Sequence, residues 1–252
     1  MVNTAEPNPW ADTPFTLLKI PGQLGGSVCA NSSVLSVAIE MANVHNVLLR
    51  PLNAIYHQAP FVQLSSDIAD FMLYVTAWAD TLHHHHSLEE SLLFPRVEEI
   101  AKEAGMDGWD GLMGGNVEQH HEFEPKIAGL VKWAEEVVAG ERTYDAAELK
   151  RRIDDFAPVL TQHLHDEIDT LIKLEKCDGE KVKQAMKETA DEGAKTADPV
   201  RTPISSLTTC YCITALTLYE FRTLSSHWYS EVSTEAIQVA RASHPFPSSS
   251  RT

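Results

Sequence analysis

Residues 83–94 read HHHHSLEESLLF, so two adjacent glutamates follow four consecutive histidines within about one helical turn. Positions three and four apart from His85 form a mostly apolar helical face, which carries Phe71, Val75, Trp78, Leu82, Glu89 and Leu92. A competing face through His86 and Glu90 carries Met72, Val75, Ala79, Leu93 and Val97. Either face is apolar enough to enter a core, because residues at this spacing lie on one side of a helix. We favour the first face, which predicts that His85 and Glu89 point inward.

The same arrangement recurs at residues 119–124, which read QHHEFE. The helical face through His120 carries Met113, Val117, Glu124, Ile127, Val131 and Ala134. The face through the neighbouring His121 instead carries Gly114, Pro125 and Lys132, which make a poor core surface. The spacing therefore predicts that His120 and Glu124 point inward.

A third example occurs at residues 163–167, which read HLHDE. The face through His163 carries Leu149, Ile153, Phe156, Leu160, Glu167, Leu171 and Leu174. The face through His165 carries Asp154, Pro158, Thr161 and Asp169, which is typical of a solvated surface. We expect His163 and Glu167 to point inward and His165 to point away from the core.

A fourth helix is predicted around His45, on a face that has no inward carboxylate. The apolar neighbours on this face are Val34, Ala38, Met41, Leu48, Leu52 and Ile55. The four predicted helices span residues 32–58, 66–103, 110–139 and 144–177. They are separated by Ala59-Pro60, by the stretch from Gly105 to Gly108 and by Gly140, and Asp145 or Thr143 is expected to cap the last helix. No strand-like alternation stands out, so the predicted fold class is all-α.

Three helices thus carry a histidine followed four residues later by an inward glutamate, and a fourth carries a histidine alone. An i, i+4 spacing places two side chains about 6 Å apart on one face, which is close enough to share a metal. Buried carboxylates without compensating positive charge are costly, and three that converge would also repel one another. Two divalent cations and one bridging hydroxide would balance the charges of Glu89, Glu124 and Glu167. Mixed imidazole and carboxylate ligands suit iron, and manganese or zinc as well.

The motifs at residues 85–95, 119–123 and 163–168, together with His45-Asn46, resemble those of the hemerythrin-like, HHE cation-binding domain family. The resemblance covers about residues 34–176 and includes four separate motifs in the right order. It implies an up-down-up-down four-helix bundle around two iron ions, bridged by an oxo or hydroxo group. The ligand positions implied by the resemblance are His45, His85, Glu89, His120, Glu124, His163 and Glu167. We expect His86, Glu90 and His121 to support these ligands or to replace one of them.

One position departs from the family pattern. Oxygen-carrying hemerythrins place a second histidine one turn after the His120 position, where this chain has Glu124. The resulting set of four histidines and three carboxylates is closer to that of carboxylate-rich di-iron oxidases. We therefore expect an oxidase or oxygenase that uses dioxygen on a small organic molecule. The alternative is a non-catalytic carrier, sensor or buffer of dioxygen, nitric oxide or iron.

The remaining sequence flanks this bundle. Residues 1–30 are rich in proline and glycine and are predicted to form an irregular arm before a bundle at 31–178. Residues 179–203 are polar and charged, which indicates a solvated linker. Its alanine content also allows part of this linker to be helical. Residues 204–252 are expected to supply a further helix, over about 204–243, that packs on the bundle, and then a frayed tail.

Composition limits the possible partners. The chain has 252 residues and a formal net charge of −16, which argues against nucleic acid and against an anionic membrane surface. The first 30 residues lack a basic start followed by an apolar run, so no secretory signal is predicted and a cytoplasmic location is expected. The sequence predicts no particular oligomeric state.

Overall fold

The computed structural model describes residues 11–197, and this part of the chain is all-helical and contains no strand. Six α-helices are present: α1 Ser32–Gln58, α2 Ser65–Leu88, α3 Phe94–Glu103, α4 Gly114–Val138, α5 Ala146–Ile172 and α6 Gly179–Thr196. Short 3-10 turns follow α1 at Ala59–Phe61 and α5 at Lys173–Lys176. The predicted all-α class is confirmed for these residues. The further helix predicted within 204–252 lies outside them.

The four long helices pack around one apolar core. Helix α1 contacts α5 and α2, and helix α4 contacts α2 and α5. Large side chains that meet in the interior include Trp78 and Phe156, whose rings stack with centroids 5.9 Å apart. The Trp78 indole N–H is also satisfied, since it donates to the carbonyl oxygen of Leu48 over 2.9 Å. The interior is therefore closely packed by side chains from different helices.

Side-chain caps fix the starts of two helices. The side chain of Asn31 accepts hydrogen bonds from the backbone N–H groups of Ser33 and Val34, and α1 begins after it. Asp145 does the same for Ala147 and Glu148 at the start of α5. Such caps satisfy N–H groups that have no partner within the helix.

The predicted helix at 66–103 is interrupted by one π-helical turn at Glu89–Leu93. There the backbone N–H of Phe94 bonds to the carbonyl oxygen of Glu89, five residues back. Pro95 follows directly, has no N–H to donate and crowds the carbonyl four residues before it, so the regular helical bonding is broken at this point. Turns of this kind widen the helix locally and are frequent at functional sites.

The arm preceding α1 is irregular over residues 11–30, and buried asparagines fasten it to α1. Asn46 exchanges two hydrogen bonds with the backbone of Leu18, at 2.7 and 3.1 Å. Asn53 accepts from the N–H of Phe15 and donates to the carbonyl oxygens of Phe15 and Ala11. The two asparagines are seven residues apart, so they lie on one face of α1 and hold the arm along it.

Helix α6 replaces the solvated linker that the polar composition of residues 179–203 suggested. Its apolar positions repeat at helical spacing and are buried: Val182, Ala185, Met186 and the methyl-bearing Thr189. Gly193 contacts the side chain of Leu88 so closely that an added Cβ would lie 2.9 Å from a Leu88 methyl carbon. Because charged residues outnumber the apolar ones in this segment, its narrow apolar stripe does not by itself predict a helix packed on the bundle.

The segment Ser32–Phe61 is long and apolar enough to cross a membrane by length and composition alone. Half of that window is buried inside the protein, and the helix carries His45 and the two arm-binding asparagines toward other elements. The apolar character of α1 is accounted for by its place in the core.

Candidate metal centre

Histidine and glutamate side chains from all four long helices and the π-helical turn converge inside the bundle. One group consists of His86, Glu89, His120 and His163, and a second consists of His45, His85, Glu89 and Glu167. Within each group the potential ligand atoms all lie within 4.8 Å of one another. Glu89 belongs to both groups. The arrangement therefore offers two neighbouring cation sites with one carboxylate in common.

The convergent groups are buried, and several of their polar atoms lack hydrogen-bond partners. All of these residues except His85 are at most 2% exposed, and the side chain of His85 is 15% exposed. The buried atoms without a hydrogen bond are His45 Nε2, His85 Nε2, His86 Nε2 and both carboxylate oxygens of Glu89 and of Glu167. Unpaired buried polar atoms are rare in folded proteins and costly. Seven of them in one place point to a bound cation.

The outer nitrogens of four imidazoles face hydrogen-bond acceptors. The Nδ1 atom of His45 lies 2.8 Å from the carbonyl oxygen of Leu164. The remaining Nδ1 contacts are His86 to Glu124 Oε1 at 3.1 Å, His120 to Glu90 Oε1 at 2.6 Å and His163 to Gln119 Oε1 at 3.3 Å. An oxygen at this position requires Nδ1 to carry the proton, so Nε2 keeps its lone pair. Metal-binding histidines are commonly oriented in this way.

The inner nitrogens face other lone pairs. His45 Nε2 lies 3.2 Å from a Glu167 oxygen, and His85 Nε2 lies 2.9 Å from a Glu89 oxygen. The Nε2 atoms of His120 and His163 are 3.0 Å apart. Atoms that all carry lone pairs repel one another unless a positive charge lies between them. The donor set thus fits divalent cations by both its chemistry and its orientation.

Burial shifts the ionisation of these groups toward their neutral forms. It lowers the pKa of His85 to about 4 and holds the pKa values of His86 and His163 well below the ordinary value. Burial, followed by the neighbouring Glu167 carboxylate, raises the pKa of Glu89 well above its usual range. The lowered pKa values keep the imidazoles of His85, His86 and His163 neutral and free to coordinate, whereas an ionised Glu89 needs a compensating cation.

Comparison with known proteins agrees with this chemistry. The sequence profile of the family described as "Hemerythrin HHE cation binding domain" matches residues 39–174, which is more than half of the chain. The chain belongs to this family. A relative called dimeric xanthone biosynthesis cluster protein R11, from Cryptosporiopsis sp. (strain 8999), is 32% identical over 178 residues, or 70% of this chain. This chain spans 64% of that relative's length. No solved structure matches at a significant level.

Six of the seven predicted ligands of this HHE domain come together in the structure, and Glu124 does not. Glu124 lies at the outer side of His86, with its side chain 25% exposed, and accepts from the Nδ1 of that imidazole. His86 joins the cluster in its place, so the donors are five imidazoles and two carboxylates. The structure therefore departs from the expected four histidines and three carboxylates.

The position of His86 follows from the spacing in residues 85–89. Glu89 is four residues after His85 and three residues after His86, so it shares a helical face with both. The two helical faces compete when each is considered alone, although the spacing HHxxE allows both histidines to flank one glutamate. That spacing is the signal that could have identified His86.

Glu90 and His121, which the sequence predicts beside the ligands, lie in different surroundings within residues 11–197: Glu90 contacts a ligand, and His121 does not. Glu90 accepts a hydrogen bond from His120 Nδ1. His121 is exposed and lies outside both groups. On the inner side, Phe94 and Phe123 pack against the imidazoles of His86, His120 and His163, with ring centroids 5.1 to 5.8 Å apart. These two phenylalanines give the three-histidine side an apolar lining.

Proposed function

We propose that this protein is a non-haem di-iron protein that binds dioxygen and acts as an oxidoreductase on a small organic molecule. The observation that carries the proposal is the placement of Glu89 in both donor groups. A carboxylate has two oxygens and can bind one cation with each. A pair of ions held in this way is the arrangement that neutralises Glu89 and Glu167 together and satisfies their orphaned oxygens.

Iron is the proposed metal because mixed imidazole and carboxylate sites in helical bundles suit it. We infer an up-down-up-down order for the bundle from the pairs of helices that contact one another around it and from the short connections between them. When bound, the iron pair would supply electrons and a binding position for dioxygen. The residues of the chain hold the metals, fix the imidazole orientations and keep water out.

The carboxylates outside the donor groups have a defined part in this proposal. Glu124 accepts a hydrogen bond from the Nδ1–H of His86, and Glu90 accepts one from the Nδ1–H of His120. A carboxylate acceptor raises the basicity of the imidazole that it orients. His45 instead donates to a backbone carbonyl. The group that contains three histidines is thus supported by two charged acceptors, and the two metal positions are not equivalent.

The catalytic part of the proposal draws on the relative from Cryptosporiopsis, whose printed name places it in a xanthone biosynthesis cluster. A protein that serves the making of small aromatic molecules is more easily understood as an oxidoreductase than as an oxygen store. By this analogy, the proposed substrate class is a small phenolic or other aromatic compound.

A non-catalytic dioxygen carrier is the second candidate, and the donor set favours it. The expectation of an oxidase depended on Glu124 as a third carboxylate ligand, and the structure places His86 in the donor group instead. Oxygen-carrying hemerythrins have a histidine at the Glu124 position, so their ligands also number five imidazoles and two carboxylates. The donor set of this chain therefore has the same composition, with His86 as the fifth imidazole. The packing of Phe94 and Phe123 over the imidazoles also leaves little space for a substrate on that side.

Measurement of dioxygen uptake distinguishes the oxidoreductase from the carrier. Iron-loaded, reduced protein would be mixed with dioxygen in an electrode cell, with and without a xanthone or a simple phenol. We expect dioxygen consumption that depends on the organic compound, together with an oxidised product. Uptake without any substrate, reversed when the cell is flushed with argon, would support the carrier. No uptake in either case would contradict both.

A further inference from the structure

All donors except His85, whose side chain is 15% exposed, are closed off from solvent, so a cation needs a route to them. His45, His163 and Glu167 are 0% exposed, and the other donors except His85 are at most 2% exposed. A hydrated divalent ion loses its water reluctantly and needs polar groups that replace the water step by step. This requirement rests on the proposed function, because it applies only if the cluster holds metal.

One carboxylate connects the buried cluster with an exposed imidazole. Glu124 accepts from His86 Nδ1 through Oε1 and contacts His83 Nδ1 through Oε2, each over 3.1 Å. The His83 side chain is 69% exposed, Glu124 is 25% exposed and His86 is 2% exposed. These three side chains thus form a graded path from solvent to the cluster. We propose that His83 and Glu124 form the port through which divalent cations enter the metal centre.

The hydrogen bonds at this port explain how it can pass an ion inward. An incoming cation that binds the Glu124 carboxylate takes the place of both imidazole hydrogen bonds. His83 can then coordinate the ion through its ring nitrogen, while His86 loses the contact that fixes its ring. The freed His86 ring can turn and accept the ion, and the bond to Glu124 forms again behind it. Binding of a cation at Glu124 therefore releases the ring of His86, which is the ligand that receives the ion.

Glu90 is the rival route, and its surroundings fit less well. Its side chain is 35% exposed and accepts from His120 Nδ1 at 2.6 Å. Within residues 11–197, the contacts found for this carboxylate connect it to the buried His120 and to no exposed imidazole. A single carboxylate offers fewer groups to replace lost water than the pair of His83 and Glu124. The net charge of −16 would draw cations toward either position.

Loading kinetics of the full chain test the port. Metal-free protein would be mixed with Co²⁺ or Fe²⁺ without oxygen, with uptake followed by absorption and release followed after adding a chelator. For H83A we expect several-fold slower uptake, because the entering ion then lacks the imidazole that replaces part of its water. Release should slow by the same factor, because a route acts in both directions. The dissociation constant and final stoichiometry should stay unchanged.

Two further variants make the result specific. H83E keeps an exposed cation ligand and should load as fast as the original chain, whereas H165A removes a partly exposed histidine elsewhere and should also load normally. Unchanged uptake in H83A would overturn the port, as would slower uptake with faster release, which indicates a stabilising role instead. Failure of the original chain to bind any metal would contradict the proposed function itself.

Discussion

The Nε2 atoms of His120 and His163 lie 3.0 Å apart, and the opposite nitrogen of each ring faces an oxygen acceptor. Each ring therefore places its proton on Nδ1 and a lone pair on Nε2. Two lone pairs at this distance are repulsive in a buried site, where electrostatic interactions are weakly screened. A cation coordinated by both rings would convert this repulsion into two bonds.

Metal binding should stabilise the fold strongly. Bound cations would satisfy seven buried atoms that otherwise have no hydrogen-bond partner. For one site, free metal at 100 times its dissociation constant adds about 2.7 kcal/mol to the free energy of unfolding. Calorimetry of the metal-free chain, with and without Fe²⁺ in the absence of oxygen, should show a clearly higher Tm. Equal Tm values would argue against ions in this cluster.

Replacement of His86 should remove metal, and replacement of Glu124 should only weaken its binding. We expect H86A to retain about one iron, because the second donor group does not include His86. We expect E124A to retain two irons, with an affinity about 10–100 times lower on that side, as is usual when the acceptor that orients a ligand is lost. Iron per chain, measured at low and high iron concentration, gives the result.

The control for this pair is H121A, which replaces an exposed histidine outside both groups and should bind iron normally. If E124A lost an iron while H86A kept both, Glu124 would be the ligand and the sequence-based set would stand.

The histidines of helix α5 provide a second matched pair. His163 is fully buried among the donors, whereas His165 is partly exposed and outside both groups. H163A should lower bound iron and also the free energy of unfolding, since Glu167 then has one fewer neighbour to share a cation. H165A should change neither. Equal iron content in the two variants would show that the helical-face argument selects the wrong residues.

Most of the residues that meet in the two donor groups lie on predicted core faces of their helices, because burial and chemistry coincide there. His45, His120, His163 and Glu167 each lie on a continuous apolar face, so their inward direction follows from position alone. His86 could not be resolved in this way, because two adjacent residues point into the core only when the helix presents a wide face. The role of Glu124 depends on a hydrogen bond between two helices, which spacing within one helix does not reveal.

The arm on helix α1 should contribute measurably to stability. Asn53 is fully buried and makes three hydrogen bonds to the backbone of residues 11–15. N53L leaves these backbone groups without partners, and we expect a loss of about 2–4 kcal/mol in the free energy of unfolding. Urea denaturation measures the loss. The control is N43A at an exposed position on the same helix, which should stay within about 0.5 kcal/mol.

The arm and helix α6 show a different limit of sequence reasoning. The irregular course of residues 11–30 follows from their prolines and glycines, but their attachment to Asn46 and Asn53 requires knowledge of where the arm lies. The position of helix α6 is equally hard to predict, because its narrow apolar stripe shows that one side is buried but not which helix it contacts. Helices with a clear apolar face can be predicted from local sequence, whereas the positions of the arm and of helix α6 depend on contacts between distant residues.

X-ray absorption at the iron edge tests the shared carboxylate most directly. If Glu89 belongs to two occupied sites, each iron in the loaded protein has a second iron at about 3.5–4 Å, the usual separation in two-metal centres. We predict such an iron–iron distance in the original chain and its loss in E89A. Iron surrounded only by light atoms in the fully loaded original chain would contradict the account.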